Sequence, residues 1–229
     1  MTAGLLLCLV AAMAETGDSA LVVRLPEPAR AGAVSVEQAL WQRRSVREFA
    51  DEPLALEQVG QLCWATYGIT LPLPGGPAFL RGGLRAAPSA GALYPLELFV
   101  FAGNVTGLDP GVWRYRSETH ELVLVRPGDR RAELAAAALG QEFIARAPAA
   151  LCWSAVFSRT TNKYGARGRE RYVMMDLGHS GQNVWLQAVA LGLGAVAVGA
   201  FVDEEVKLAA GMDAREEPLY IMPVGRPRG

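Results

Sequence analysis

The sequence predicts a single α+β domain, and three observations support that class. Helical and strand-like segments are mixed along the chain without the regular alternation that is typical of a doubly wound parallel sheet. The composition, 51% hydrophobic and 20% charged over 229 residues, is that of a folded protein with a substantial core. No internal repeat or convincing linker divides the chain. We therefore expect one domain over residues 25–229.

The apolar run at the N-terminus leaves the destination of the chain open. Leu5 to Met13 resembles the hydrophobic region and small-residue cleavage site of a secretory leader. No lysine or arginine precedes this run, and it is too short to span a bilayer as a helix. We treat residues 1–24 as either a leader or a disordered N-terminus. The protein is exported in the first case and cytoplasmic in the second.

The first part of the domain predicts two helices followed by a long loop. Ser35 and Gln38 form a capping box that begins a helix ending near Arg44. Leu56 to Tyr67 places its apolar residues on one face of a second helix. Leu71 to Arg85 is rich in proline and glycine, so we predict a loop of the length found in lids and binding segments.

The middle of the chain is predicted to contain four strands and one helix. Leu96 to Phe101 is a short apolar strand. Val112 to Arg116 and Glu121 to Val125 are expected to pair as a hairpin. An alanine-rich helix is predicted at Arg131 to Leu139, and a buried strand at Ala149 to Phe157.

The last part of the chain is predicted to contain a long helix, two strands and a short helix between the strands. The long helix runs from about Gly168 to Leu191 and is apolar around most of its circumference. Ala195 to Val198 and Leu219 to Val224 are predicted strands. Between them, Asp203 to Ala210 is expected to form a capped helix that ends at Gly211.

Charge and cysteine content argue against several classes of protein. A net charge of −1 lacks the basic footprint that nucleic-acid binding usually leaves. The two histidines and three cysteines do not stand at metal-ligand spacing, so neither a zinc site nor a disulfide framework is expected. Cys63 and Cys152 lie in apolar surroundings and are expected to pack as small hydrophobic side chains.

Two glycine-containing motifs carry little weight. Gly192 to Gly194 with Gly199 follows a helix and precedes a strand, the reverse of the order in a dinucleotide-binding fingerprint. Gly178 to Gly181 resembles a serine-hydrolase elbow, but the second glycine would have to stand at Gln182. A hydrolase with Ser180 as nucleophile remains a poorly supported alternative.

A cluster of three arginines follows the first predicted helix. Arg43, Arg44 and Arg47 stand within five residues, with Ser45 between them. Rigid guanidinium groups beside a hydroxyl are well suited to holding a phosphate dianion. The alternative is a solvated basic helix end, which the helix dipole favours. This stretch alone does not decide between the two.

Four segments in order resemble the nitroreductase-like flavoprotein family, and most closely its azoline-dehydrogenase branch, the SagB/ThcOx type. They are Arg43–Arg47, Leu84–Glu97, Lys163–Asn183, and the C-terminal pair Gly199–Phe201 and Pro223–Pro227. Their order and spacing agree with the family from about residue 35 to the C-terminus. The resemblance implies a three-layer αβα fold with a mixed, mainly antiparallel central sheet. It also implies a homodimer with FMN bound at the subunit interface.

The same resemblance implies roles for individual residues. The FMN phosphate would be held by Arg43, Arg44, Ser45, Arg47 and Arg226. The flavin ring would lie along Ser89, Ala90 and Gly91, with Leu93 close by, and its reactive face would be near Val198, Gly199 and Ala200. Small residues suit this position because only a nearly bare backbone lets amide groups reach the polar edge of the ring. The alternative for the glycines is ordinary turn chemistry.

Lys163 and Tyr164 match the pair that azoline dehydrogenases use for proton removal. Lys163 would act as a base or proton relay and Tyr164 as its partner, while the flavin accepts hydride from the adjacent carbon. A lysine can do this only where desolvation or a nearby cation favours its neutral form. The alternative is a solvated lysine and a half-buried tyrosine at a helix start.

The expected function is that of an FMN-dependent oxidoreductase. We favour a dehydrogenase of a small ring or peptide-derived substrate over a reductase of nitroaromatic compounds, because the branch-specific segments are present. The rival from another class is a storage or sensing protein that binds flavin without catalysis.

Overall fold

The computed structural model describes residues 21–229, which form a central sheet with helices on both faces. The strands are β1 Val22–Arg24, β2 Leu54–Ala55, β3 Ile69–Pro72, β4 Gly83–Arg85, β5 Leu96–Ala102, β6 Val105–Thr106, β7 Gly111–Arg116, β8 Glu121–Pro127, β9 Ala149–Ala155, β10 Gly194–Ala195 and β11 Glu217–Gly225. The helices are α1 Val36–Gln42, α2 Leu56–Tyr67, α3 Arg131–Ala137, α4 Phe143–Arg146, α5 Ser158–Tyr164, α6 Val173–Ala190 and α7 Asp203–Ala210.

The central sheet has seven strands in the order β1-β8-β7-β5-β9-β11-β10. All of its ladders are antiparallel, and a single parallel bridge joins Ser45 to Ala195 beyond the β10 edge. In the middle of the sheet, Val100 of β5 lies opposite Leu151 of β9. The expected mainly antiparallel sheet is therefore confirmed.

Side chains of the central strands alternate between two separate cores. Leu98 and Val100 of β5 belong to a core that includes buried residues of α2 and α6. Phe99 and Phe101 point to the opposite face, where α3, α4 and α7 supply the remaining side chains. This period of two places one helical layer on each side of the sheet. The three-layer αβα architecture is confirmed.

Several helix boundaries agree with the sequence. The predicted second helix coincides with α2. At the start of α1, the amide of Gln38 donates to Ser35 Oγ over 3.1 Å, so Ser35 is the N-cap. The chain leaves α7 at Gly211, whose φ of +65° is the left-handed conformation that commonly ends helices at glycine. The cap of α7 is Val202, however, and its side chain makes no capping bond.

The predicted loop at Leu71 to Arg85 is wrong in part, because β3 and β4 pair there as an antiparallel hairpin. Leu71 lies opposite Leu84, and Pro72 opposite Gly83 at the end of the ladder. Proline is tolerated at such a position because little pairing is lost there. The remaining prolines and glycines are concentrated in the connection, so they mark the tip of a hairpin.

Three further differences concern a strand, a short helix and the start of the long helix. The strand predicted at Ala195 to Val198 is wrong, since β10 ends at Ala195 and Val198 makes only an isolated bridge with Ile221. The short helix α5 was not predicted. The predicted long helix begins with a π-helical turn, Gly168–Tyr172, before α6.

The N-terminal expectation is only partly within the described residues. β1 lies inside the range 1–24 that we kept outside the domain, and it pairs with β8 at the edge of the central sheet. The apolar run Leu5 to Met13 lies outside the described residues, so the choice between leader and N-terminal tail stays a prediction. Within residues 21–229, no helix is long and apolar enough to cross a membrane.

Candidate functional site

The segment Ser89–Tyr94 forms a tight turn with an unusual backbone. Gly91, Ala92 and Tyr94 have φ angles of +64°, +54° and +46°. Side-chain-bearing residues rarely adopt positive φ, and each such residue carries a conformational cost. Leu93 is half-buried beside the turn. Tertiary contacts must therefore hold this segment in place.

Asp176, near the start of α6, contacts the beginning of the turn. Ser89 Oγ donates to Asp176 Oδ2 over 2.6 Å, and the amide of Ala90 points to Asp176 Oδ1 at 3.4 Å. Ser89 Oγ in turn accepts a hydrogen bond from the amide of Tyr94 at 2.9 Å. Burial raises the pKa of Asp176, whereas the Ser89 and Ala90 donors and the charge of His179 oppose that rise. Nothing in our sequence analysis singled out Asp176.

Two arginines hold the other end of the turn. Arg81 and Arg159 each donate to the carbonyl oxygen of Tyr94 at 3.3 Å. Both also pair with the buried carboxylate of Glu97, Arg159 at 2.6 Å and Arg81 at 3.1 Å. Since Arg159 belongs to α5, this contact also fixes that helix against the turn.

The helix α5 ends in Lys163 and Tyr164, which reach the glycine of the turn. A Cβ built on Gly91 would lie 2.7 Å from Tyr164 Oη and 3.1 Å from Lys163 Nζ. Lys163 Nζ lies 5.3 Å from the centre of the Tyr164 ring, and the centres of the Tyr164 and Tyr172 rings are 4.8 Å apart at an angle of 75°. Lys163 is exposed and Tyr164 is half-buried, as in the alternative that we considered, but the pair lies at the end of a helix and not at its start. We call Ser89–Tyr94, Asp176, Lys163 and Tyr164 the turn group.

The predicted phosphate-binding run follows α1 and is largely exposed. The guanidinium of Arg43 lies 5.2 Å from the centre of the Trp185 ring, and that of Arg47 lies 5.9 Å from the Phe143 ring. Arg44 turns back to donate to the carbonyl oxygens of Trp41 and Arg43. None of the three arginines forms an ion pair with a carboxylate of residues 21–229.

Arg226 lies beside the segment that follows this run. Its carbonyl accepts from the amide of Ala50 at 2.9 Å, so the end of β11 runs alongside the segment that follows Arg47. Its guanidinium pairs with Glu52 at 2.7 Å, with both side chains about half exposed. A Cβ at Gly192 would lie 4.0 Å from Arg226 Nη1.

A cleft of about 340 Å³ connects Arg44 with the glycine-containing segment before β10. Trp185 forms part of its lining and donates through Nε1 to the carbonyl of Ala195. The backbone of Val46 also donates to Ala195. We call Arg43, Arg44, Ser45, Arg47 and Arg226 the arginine group.

The third predicted segment, Val198 to Ala200, leaves the sheet after its bridge to Ile221. Val198 is buried, whereas Gly199 and Ala200 are exposed. No described atom lies within 4 Å of a Cβ built on Gly199, so the space in front of this residue is open. The carbonyl of Ala200 accepts from Gln141 Nε2 at 3.1 Å.

The turn group and the arginine group are separated along α6. Asp176 contacts the turn, and Trp185 contacts Arg43. Their positions on the helix are about 14 Å apart along its axis, at about 1.5 Å per residue. One chain therefore brings the predicted residues together as two groups rather than as one enclosed cavity.

Comparison with known proteins decides the family. The sequence model of the nitroreductase family matches residues 40–226, which is most of the chain. The chain belongs to the nitroreductase family. A protein of Methanocaldococcus jannaschii named as a nitroreductase is 44% identical over 193 residues, 84% of this chain and 91% of the relative.

Solved structures agree with this assignment. A nitroreductase from Ralstonia eutropha has 30% identity and a TM-score of 0.76, over 91% of this chain and 90% of that one. A chain of the Escherichia coli microcin synthetase McbBCD complex, with 22% identity and a TM-score of 0.68, shares the fold over 99% of this chain and 85% of its own.

The chain is therefore a flavin-dependent oxidoreductase. The family assignment favours an enzyme over our non-catalytic alternative. The geometry also removes the hydrolase alternative, because Ser180 is fully buried. Its hydroxyl accepts from Trp153 Nε1 at 2.9 Å and donates to the carbonyl of Thr66.

The remaining predictions on cysteines and metals concern the described residues only. Cys63 and Cys152 are buried and free, and burial raises the pKa of both thiols far above the usual range. Within residues 21–229, histidine, cysteine and carboxylate side chains form no cluster that could hold a metal ion.

Proposed function

We propose that this nitroreductase-family protein is an FMN-dependent dehydrogenase of the SagB/ThcOx type. The observation that carries the proposal is the contact between Gly91 and the Lys163–Tyr164 pair, because it joins the two most branch-specific sequence segments. Its substrate would be a small ring or a peptide-derived ring, and nitroaromatic compounds would be secondary substrates.

The described residues fit an FMN phosphate and ring. Arg43 and Arg47 have no carboxylate partner among residues 21–229, and Ser45 is exposed between them. Charge-assisted hydrogen bonds from such guanidinium groups suit a phosphate dianion. Arg226 would join them by exchanging its exposed Glu52 partner for the phosphate. The space in front of Gly199 is open, and the Ser89–Gly91 turn presents small side chains, as a site for a flat ring system would require.

In the proposed reaction, FMN supplies the two-electron acceptor. Dehydrogenation of the substrate ring removes a proton and a hydride from adjacent carbons and forms a double bond between them, and Lys163, as the neutral amine, would take the proton. Tyr164 holds Lys163 close to the turn, since Lys163 Nζ lies 5.3 Å from the centre of the phenol ring. Arg159 and Glu97 keep α5, and with it this pair, against Gly91.

We also propose a homodimer with FMN at the interface. The exposed face of α1 carries Val36, Leu40 and Trp41, the last 80% exposed. Contiguous exposed apolar side chains of this kind often mark an interface. The separation of the turn group from the arginine group further supports a second subunit, which could supply one group to the other. Sedimentation at twice the 24.4 kDa chain mass would support the proposal, and a monomer that binds FMN would contradict it.

FMN binding is tested by comparison with riboflavin, which lacks the phosphate. Flavin fluorescence should be quenched by the purified protein with a lower Kd for FMN than for riboflavin. Arg47→Ala should weaken FMN binding by about 10- to 100-fold, the equivalent of one charge-assisted hydrogen bond, and should leave riboflavin binding unchanged.

Arg116→Ala is the matched control, because this exposed arginine ends β7 and belongs to neither group. Its FMN affinity should equal that of the wild type. The proposal is wrong if the wild-type protein binds no FMN.

The role of Lys163 is tested by anaerobic reduction of bound FMN with an azoline-containing peptide. Lys163→Ala should slow this reduction by at least about 100-fold, the usual contribution of a positioned acid or base. Reduction of the flavin by dithionite and the affinity for FMN should not change. If the variant still oxidises the peptide while nitro reduction is fast in both proteins, the preference for a dehydrogenase is wrong.

A further inference from the structure

A carboxylate is buried in α6 at the point where this helix meets the turn. Asp176 is only 2% exposed and lies among the buried positions Val173, Leu177 and Ser180 of the same helix. Removing a carboxylate from water is unfavourable unless its oxygens accept hydrogen bonds. Among the described residues, Asp176 forms no ion pair with lysine or arginine. The donors that contact it come from Ser89 and Ala90.

The hydrogen bonds of Ser89 are correspondingly fixed. Its hydroxyl proton is directed to Asp176, and its oxygen accepts the amide proton of Tyr94. The hydroxyl therefore links the two ends of the turn and has no second proton to donate to a ligand. The role implied by the resemblance concerned the backbone of Ser89 along the flavin ring, and these hydrogen bonds of the hydroxyl do not alter it.

We propose that Asp176 is a positioning residue for the flavin ring. It acts through Ser89 and Ala90, which it holds so that Gly91 faces Lys163 and Tyr164 before any flavin binds. The inference rests on the proposed function, because FMN is the ligand for which the turn is prepared. Preorganising a binding segment strengthens affinity by removing the ordering cost from the binding step.

The proposal is tested first without flavin. Hydrogen–deuterium exchange of the full-length protein should show protection in peptides covering residues 86–94. Asp176→Ala removes both acceptors and should accelerate exchange there by about tenfold or more, as expected for loss of a hydrogen bond to a charged group. Asp176→Asn keeps one carbonyl acceptor and should show a smaller acceleration. Ser89→Ala should resemble Asp176→Ala, and adding it to Asp176→Ala should have little further effect.

FMN affinity of the same variants provides the second measurement. Asp176→Ala should weaken FMN binding by about the factor by which exchange accelerates, and Asp176→Asn should restore part of it. The matched control is Glu216→Gln, which alters an equally buried carboxylate that binds Arg114, makes no hydrogen bond to residues 89–94 and is linked to the turn only through Arg114 and Glu97. It should lower the melting temperature without changing exchange in residues 86–94 or the Kd for FMN.

Each outcome separates this inference from the proposed function. If exchange and FMN affinity of both Asp176 variants match the wild type, or if Glu216→Gln changes them equally, Asp176 has no positioning role. Should Asp176→Ala fail to fold, Asp176→Asn and Ser89→Ala decide the same question. If wild-type protein binds no FMN, the proposed function fails, and the exchange data alone still decide whether Asp176 orders the turn.

Discussion

The turn group and the arginine group hold their residues by opposite means. In the turn group, three residues have positive φ, and buried carboxylates hold the turn at both ends. Asp176 binds its start directly, and Glu97 holds its end through Arg81 and Arg159. In the arginine group, the guanidinium groups of Arg43 and Arg47 lie over aromatic rings and are open to solvent. The turn group is ordered by contacts within the fold. In the arginine group, the guanidinium groups of Arg43 and Arg47 have no carboxylate partner among residues 21–229.

This difference indicates where a ligand contributes order. A ligand at the turn meets a surface whose hydrogen bonds are already made, so shape decides what fits. A ligand at the arginine group would provide the missing anionic partner, so charge decides. In this protein, the buried hydrogen bonds and ion pairs are concentrated in the part of the site that faces Lys163 and Tyr164. The following predictions test that contrast.

The largest expected difference concerns two carboxylates outside the groups, one of which supports the turn group and the other the arginine group. Glu97→Ala should lower the free energy of unfolding by about 3 kcal/mol, because it leaves partly buried arginines without their shared anion. Glu52→Ala removes a pair that is about half exposed, and should cost less than about 1 kcal/mol. Urea unfolding of both variants measures the difference. Equal losses would mean that the turn is no more firmly held than the arginine group.

A smaller difference is expected between two glycines of the site. Gly91→Ala places a Cβ on a left-handed residue and against Tyr164 Oη, and should destabilise the protein by about 1–2 kcal/mol. The variant should also oxidise an azoline peptide more slowly, since Lys163 and Tyr164 must move. Gly199→Ala enters open space and should change stability by no more than about 0.5 kcal/mol. Thermal unfolding that gave the same melting temperature for both variants would contradict this contrast.

The smallest expected effect is a pH dependence of the turn group. Burial raises the pKa of Asp176 above its usual value of 3.8. The folded protein therefore binds the proton of this carboxyl more tightly than the unfolded chain does. The favourable contribution of this carboxyl is therefore complete below its usual pKa of 3.8 and is lost as pH rises through the raised value.

We expect Asp176→Asn to gain stability relative to the wild type as pH rises from about 3 to about 7, because the amide stays neutral throughout. The loss of one acceptor in this variant does not depend on pH, so the slope of the difference reports the charge. Urea unfolding of both proteins across the range measures it. A difference that is flat with pH would show that burial of this carboxyl is fully compensated.

The sequence predicts the core elements better than the connections. Alternating or continuous apolar residues locate α2, β5 and the β7–β8 hairpin, because burial imposes a period on the sequence. The hairpin of β3 and β4 was missed since its prolines and glycines hide the short paired segments. β1 and α5 were missed because each is too short to show a clear period.

The candidate site is predictable to a similar extent. The motifs suggested that Gly91 and the Lys163–Tyr164 pair belong to one site, and these residues do meet. Asp176 was overlooked, although an acidic residue on the buried stripe of a helix is a usable signal. The contacts of Arg81 and Arg159 with Tyr94 have no comparable signal, because they depend on how separate elements pack.

The π-helical turn at Gly168–Tyr172 and the break at Gly165 together separate α5 from α6. Gly165 has a φ of +59°, which ends α5 directly after Tyr164. The π-helical turn that follows holds one residue more than an α-helical turn, so Ala166 and Arg167 are offset by about 100° from the direction that an unbroken α-helix would give them relative to Asp176. Two irregular backbone segments therefore lie between the helix that carries Lys163 and Tyr164 and the helix that carries Asp176, and neither segment contributes one of these side chains.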